Sequence, residues 1–127
     1  MPPSVLFEAL AAGTTWPAWS PVGSFSLERE GRDGGESVGA IRVFKTGTVR
    51  SREEILELVP DRMLRYRALS GLPLRNHEAS VVLDGEQIRW REQFDVKFPG
   101  TGWLLELFLR RFIQRCADGL ATYGRGA

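Results

Sequence analysis

Residues 7–21, FEALAAGTTWPAWSP, run a short amphipathic helix into a glycine and then place two tryptophans three residues apart. Trp16 and Trp19 each lie beside a proline or one step from it. Strand-like segments follow, and one long helix closes the chain. A short helix with one apolar face, a set of strands and a long amphipathic helix must bury those faces on one another, which restricts the fold to sheet packed against helix.

Pro2 and Pro3 suit a helix start, Ser4 can help cap it, and Val5, Leu6, Ala9 and Leu10 recur at helical spacing. Gly13 is expected to end this helix, Thr14 to cap a very short second one carrying both tryptophans, and Pro21 to close it. Ser24–Glu30 alternates with Phe25 and Leu27 on one face and reads as a strand. Residues 31–35, GRDGG, read as a loop, and Ser37–Thr46 as a second strand. Val49–Val59 contains the helix formers Glu53 to Leu58 but no long helical stripe, and is read as a strand with room for a bulge.

Met63–Ser70 and His77–Leu83 are clearer strands; Asp84-Gly85 signals a tight hairpin into Gln87–Val96. Short strands joined by tight turns imply an antiparallel sheet. From Trp103 to Tyr123 a helix carries one broad apolar stripe: Leu105, Phe108, Leu109, Phe112, Ile113, Cys116, Leu120 and Tyr123. Trp103 and Leu107 fall outside it, as surface, portal or partner contact.

Within 127 residues one domain is expected, 1–127, with one core and room for a modest cavity. Lys+Arg number 17 against 16 Asp+Glu, so no net charge steers the chain to nucleic acid. Arg42, Arg65, Arg67, Arg89 and Arg91 are expected on a solvated convex face. No run approaches the ~20 apolar residues of a membrane span, and residues 1–13 lack the pattern of a secretory signal. One cysteine, Cys116, excludes an intrachain disulfide and favours a reducing cytoplasm. With a single His as well, no metal site is expected, and no glycine-rich phosphate loop or G-x-S-x-G nucleophile motif is present.

The order helix, short helix, antiparallel strands, long final helix resembles the START-like (SRPBCC) superfamily, which includes polyketide cyclase-like proteins. The loop Ser70–Leu74, the pair Arg89-Trp90 and residues Pro99–Trp103 also look like actinobacterial-type members of this group. The resemblance implies a helix-grip α+β fold, with a curved sheet of about six strands wrapped around the long C-terminal helix and an apolar cavity between them. Members usually begin with a strand ahead of the first helix. Here Met1-Pro2-Pro3-Ser4 aligns with the Pro-rich start of that helix, so the first strand is expected to be missing. That strand would border Gln87–Val96, and a bare edge there is expected to recruit a second copy as a homodimer.

The function expected on this basis is binding of an apolar small molecule: a lipid, quinone or polyketide-like ligand. The expected walls are Trp16, Trp19, Phe44, Tyr66, Trp90, Phe94 and Phe108, with Ala40, Ala68 and Ala79 leaving the space. No cofactor is implied. The alternatives are a cyclase or dehydratase-type enzyme and a chaperone-assisting interaction module. For the enzyme, alternation puts His77 and Glu92 on coinciding faces of neighbouring strands, as the pair able to transfer a proton.

Overall fold

The computed structural model describes residues 3–71, 74–84, 87–96 and 102–126. The Gly85 turn and the loop residues Leu72 and Pro73 lie outside the described residues. Helix α1 (Pro3–Ala11) leads through a 3-10 turn at Gly13–Thr15 into α2 (Trp16–Trp19). Six strands follow: β1 (Ser24–Arg29), β2 (Ile41–Thr46), β3 (Val49–Val59), β4 (Met63–Ser70), β5 (Leu74–Asp84) and β6 (Gln87–Val96). Helix α3 (Gly102–Gly126) is last. The strands form one antiparallel sheet in chain order, so β6 has β5 as its one neighbour among the described residues. This is the α+β helix-grip arrangement. Among the described residues no helix is long and apolar enough to cross a membrane.

The turn between α1 and α2 holds itself together with side chains. The Thr15 hydroxyl donates toward the carbonyls of Ala9 and Ala12, at 2.6 and 2.8 Å, and accepts from Trp19 Nε1 at 3.1 Å. Trp16 Nε1 donates to Leu10 O at 3.1 Å. The helix therefore ends at Ala11, and Gly13 is retained for space: its N–H reaches Glu36 Oε1 at 2.7 Å, and a Cβ there would overlap the Phe25 ring. Strand β2 begins at Ile41, four residues later than its composition suggests. Gly39 adopts φ 91°, and Ala40 N–H closes a turn on Ser37 O, which keeps the chain out of the ladder until Ile41.

Two bulges set which side chains face the core. Between Arg52 and Glu53 the register with β4 shifts by one, and between Ile55 and Glu57 it shifts again. Glu53 and Ile55 therefore face the core with odd parity, while Leu58 packs on it with even parity. On the convex side, ion pairs run across the strands: Glu28–Arg52, Arg29–Glu54–Arg67 and Glu57–Arg65–Glu78. The first two bridge β1 to β3 over β2, which accounts for the burial of the β2 residues Ile41 and Val43 on that side.

Helix α3 is seated at its C-terminal half, where Cys116 and Leu120 are fully buried. At its N-terminal half Trp103, Leu104, Leu107 and Phe108 are exposed, so the apolar stripe is narrower than its spacing implies. Gly119 lets α3 touch α2, since a Cβ there would overlap the Trp19 carbonyl oxygen. Gly119→Ala is expected to lower stability by about 1–3 kcal/mol through overpacking, outweighing the ~1 kcal/mol alanine gains within a helix. Urea unfolding checks this, and a stabilised variant would mean that α3 is free to shift away from α2.

Candidate functional site

A line of polar side chains crosses the concave face beneath α3. The register sets Arg42 opposite Glu53, and Glu53 opposite Ala68. It sets Tyr66 opposite Ala79, and Ala79 opposite Glu92. His77 joins the line by alternation with Ala79, Val81 and Leu83, beside a further bulge between Arg75 and Glu78 where Asn76 takes a left-handed φ of 52°.

His77 and Glu92, read from the sequence as a pair, do meet: Nε2 lies 3.1 Å from Glu92 Oε1, and both side chains are nearly shielded from solvent. The other ring nitrogen is also engaged. His77 Nδ1 accepts the Ala68 backbone N–H at 2.8 Å. A backbone amide can only donate, so in the neutral ring the proton sits on Nε2, facing Glu92. The imidazole thus orients the Glu92 carboxylate and has no free nitrogen with which to take up a proton.

Arg42 is not on the convex face. It is 1% exposed, because it shares the parity of Phe44 on β2 and points to the core. Its Nη1 donates to Leu10 O at 3.0 Å and reaches Glu36 Oε1 at 3.2 Å. Its guanidinium carbon stands 5.2 Å from the Trp16 ring centre and 5.1 Å from that of Phe44. Arg42 Nε has no hydrogen-bond partner among the described residues, nor has Glu53 Oε2 across the strand pair. Burial pushes the Glu53 carboxyl up to about 7, with Glu92 adding to the rise and Arg42 and His77 opposing it. Burial also raises the Tyr66 phenol and the Cys116 thiol, so both stay protonated and Cys116 is no nucleophile.

Between this line and α3 lies a cavity of about 80 Å³. Its walls include Trp16, Phe44, Glu53, Tyr66, Ala68, His77, Glu92, Phe108 and Phe112. Beside it an open cleft of about 700 Å³ runs between β6 and α3, lined by Trp90, Phe94, Glu106 and Arg110 among others. The two spaces share Glu92, Leu109 and Ile113 as walls. Of the aromatic walls expected from the sequence, Trp16, Phe44, Tyr66 and Phe108 line the inner cavity, and Trp90 and Phe94 line the cleft. Trp90 Nε1 links the two by donating to the Tyr66 hydroxyl at 3.1 Å. Trp19 lies elsewhere: it packs on Trp16, ring centres 4.6 Å apart, and lines a shallow groove against α3. Neither Glu53 nor Arg42 was expected at the site, although each shares its strand parity with an apolar core residue, Ile55 and Phe44. Among the described residues no group of three His, Cys, Asp or Glu is placed to hold a metal.

The sequence family described as polyketide cyclase / dehydrase and lipid transport matches residues 1–125. No curated protein matches the chain significantly. Among solved structures, protein TTHA0849 from Thermus thermophilus is 20% identical, with 98% of this chain and 90% of that one covered at a TM-score of 0.65. The Aha1 dimer from Colwellia psychrerythraea is 16% identical, covering 94% and 87% at 0.62. Protein Mll3558 from Rhizobium loti is 23% identical, covering 93% and 85% at 0.58. At these identities the structural likeness speaks for the fold alone.

Proposed function

The chain belongs to the polyketide cyclase / dehydrase and lipid transport family, and from that premise we propose that it binds an apolar small molecule between the sheet and α3. A lipid, quinone or polyketide-like body is the class that fits. The observation that carries this reading is the pairing of a small cavity, with Trp16, Phe44, Tyr66, Phe108 and Phe112 among its walls, with a wide cleft that shares three of its walls. The exposed apolar residues at the start of α3 border these spaces: Phe108 lines the cavity, and Leu104 and Leu107 form the adjoining groove. They serve as the entry lip in this reading.

Binding is favoured over turnover by the state of His77. With both ring nitrogens engaged, His77 is no general base, and a cyclase built on this pair is left with the Glu92 carboxylate as its one proton acceptor.

Trp16 lines the cavity and Trp90 the cleft, so their fluorescence reports occupancy. Titration with 1-decanol, menadione and a hydroxyanthraquinone is expected to give a saturable change with at least one of them. Leu109→Trp fills the shared wall and is expected to abolish it. No change in fluorescence or melting temperature across the three would remove the reading.

A further inference from the structure

We propose that the ligand enters head first, that its head is a neutral hydroxyl held between Glu53 and Tyr66 at the inner end of the cavity, and that this end turns away carboxylate-headed lipids. The inference rests on the pocket reading above and adds the chemistry of the head. Size divides the ligand first. A cavity of about 80 Å³ admits a head and little else, whereas the cleft of about 700 Å³ has room for a body. Glu92, Leu109 and Ile113, shared by both, mark the passage between them.

Among the cavity's polar walls, which also include Thr46, Ser51, His77 and Glu92, Glu53 and Tyr66 bring an acceptor and a donor together. Glu53 lines the cavity and carries a buried carboxyl oxygen with no partner among the described residues. Its last torsion is soft, so a small rotation presents either oxygen to an incoming group. An unmet buried acceptor is costly, and a donor on the ligand removes that cost. The Tyr66 hydroxyl accepts from Trp90 Nε1 and keeps its own proton for donation. A hydroxyl is the simplest head that both donates to a carboxylate and accepts from a phenol. An anionic head would instead face Glu53 and Glu92 together. Arg42 cannot offset them for the ligand, because its guanidinium is turned to Leu10 O, Glu36 and the Trp16 and Phe44 rings and does not line the cavity.

The arrangement also makes the choice of head depend on pH. The titratable and charged groups around Glu53 are Arg42 on β2, Tyr66 on β4, His77 on β5, Glu92 on β6 and Cys116 on α3. Of these Tyr66 and Cys116 stay neutral, and Glu53 itself ionises at about 7. Above that pH an anion meets the added charge of Glu53; below it, that charge is gone.

The test compares three probes with a ten-carbon chain, 1-decanol, decanoate and 1-methoxydecane, by calorimetry and tryptophan fluorescence at pH 8 and pH 6. Decanoate stays ionised at both. Wild type at pH 8 is expected to bind decanol at least about tenfold tighter than either other probe, a factor worth ~1.4 kcal/mol. Decanoate binding is expected to tighten at pH 6 in wild type and not in Glu53→Gln, which should accept decanoate equally at both pH values. Tyr66→Phe should weaken decanol binding at both pH values, since the head loses its donor; unchanged decanol affinity would remove Tyr66 from the head site. Circular dichroism confirms that each variant is folded. If decanoate or 1-methoxydecane binds wild type as tightly as decanol at pH 8, the head assignment is wrong and the pocket reading survives. If none of the three binds, the head assignment falls, and the pocket reading falls with it only when menadione and the hydroxyanthraquinone also fail.

Discussion

Replacing Arg42 with methionine is expected to destabilise the domain by about 3–5 kcal/mol, the range for removing one partner of a buried charge cluster. Arg42 is the most buried charge in the described structure, 1% exposed, and three separate parts of the chain depend on it. Its Nη1 meets the Leu10 carbonyl at the C-terminal end of α1, where helix carbonyls lack intrahelical partners and a cation is favourable. It pairs with Glu36, whose other contact is the Gly13 amide, so the loop ahead of β2 is tied to the α1–α2 turn through the same group. Across the strand pair it faces Glu53 and lowers the cost of that carboxylate. Methionine fills much of the volume and touches the same rings, so the loss reports the charge and its hydrogen bonds. Arg42→Lys should recover little, because an ammonium lacks the planar guanidinium that lies against the Trp16 and Phe44 rings while it donates to Leu10 and Glu36. Adding Glu53→Gln to Arg42→Met should restore part of the loss, since the carboxylate left without its counter-charge is then gone. Urea unfolding at pH 8 measures all three. A loss below ~1 kcal/mol in Arg42→Met would mean that water reaches this site and screens it.

The antiparallel strands, the long final helix and the His77–Glu92 meeting were legible because each follows from local pattern. Ile88, Trp90, Glu92 and Phe94 alternate cleanly, and His77 reaches Glu92 as a diagonal neighbour across one strand pair. Arg42 was legible in principle: parity with Phe44 places it inward, and only the habit of reading arginine as solvent-facing places it outward. Glu53 was harder. The run Val49–Val59 contains five charged residues, and its inward set passes from Glu53 and Ile55 to Leu58 by way of a bulge. Simple alternation cannot carry parity through a bulge, so the strand gave no reason to prefer Glu53 over Glu54 or Glu57. The size of the cavity was not legible at all. It depends on α3 lying close at Cys116 and Leu120 while its first turns stay exposed, and that tilt is set by packing against α1 and α2.

Glu53→Gln is expected to stabilise the protein at pH 8 by about 3 kcal/mol, a gain that fades as the pH is lowered toward 4.5. The carboxyl ordinarily ionises near 4.5 and does so at about 7 in the folded chain, chiefly because it is buried. A carboxyl with a raised folded pKa holds its proton more tightly in the native state than in the unfolded one. Below about 4.5 it is protonated in both states and has no effect on the balance. Between 4.5 and 7 the unfolded chain gives up the proton and the native chain keeps it, so stability falls as pH rises. Above about 7 both states are ionised and the full difference persists, worth about 3 kcal/mol for a gap of this size. Glutamine has nearly the same shape, carries no charge and can offer the same hydrogen-bonding edge, so it removes that loss without opening a cavity. The stability difference between variant and wild type, followed by urea unfolding from about pH 4.5 to 8.5, should therefore rise through this window and level off near pH 7.5. A flat difference would show that Glu53 ionises as an ordinary surface carboxylate does. A destabilised variant at pH 8 would show that Arg42 needs the Glu53 charge more than the core resents it. A gain of that size would match the hydroxyl-binding role proposed for Glu53, in which the ligand's donor meets the unpaired oxygen beside the cavity.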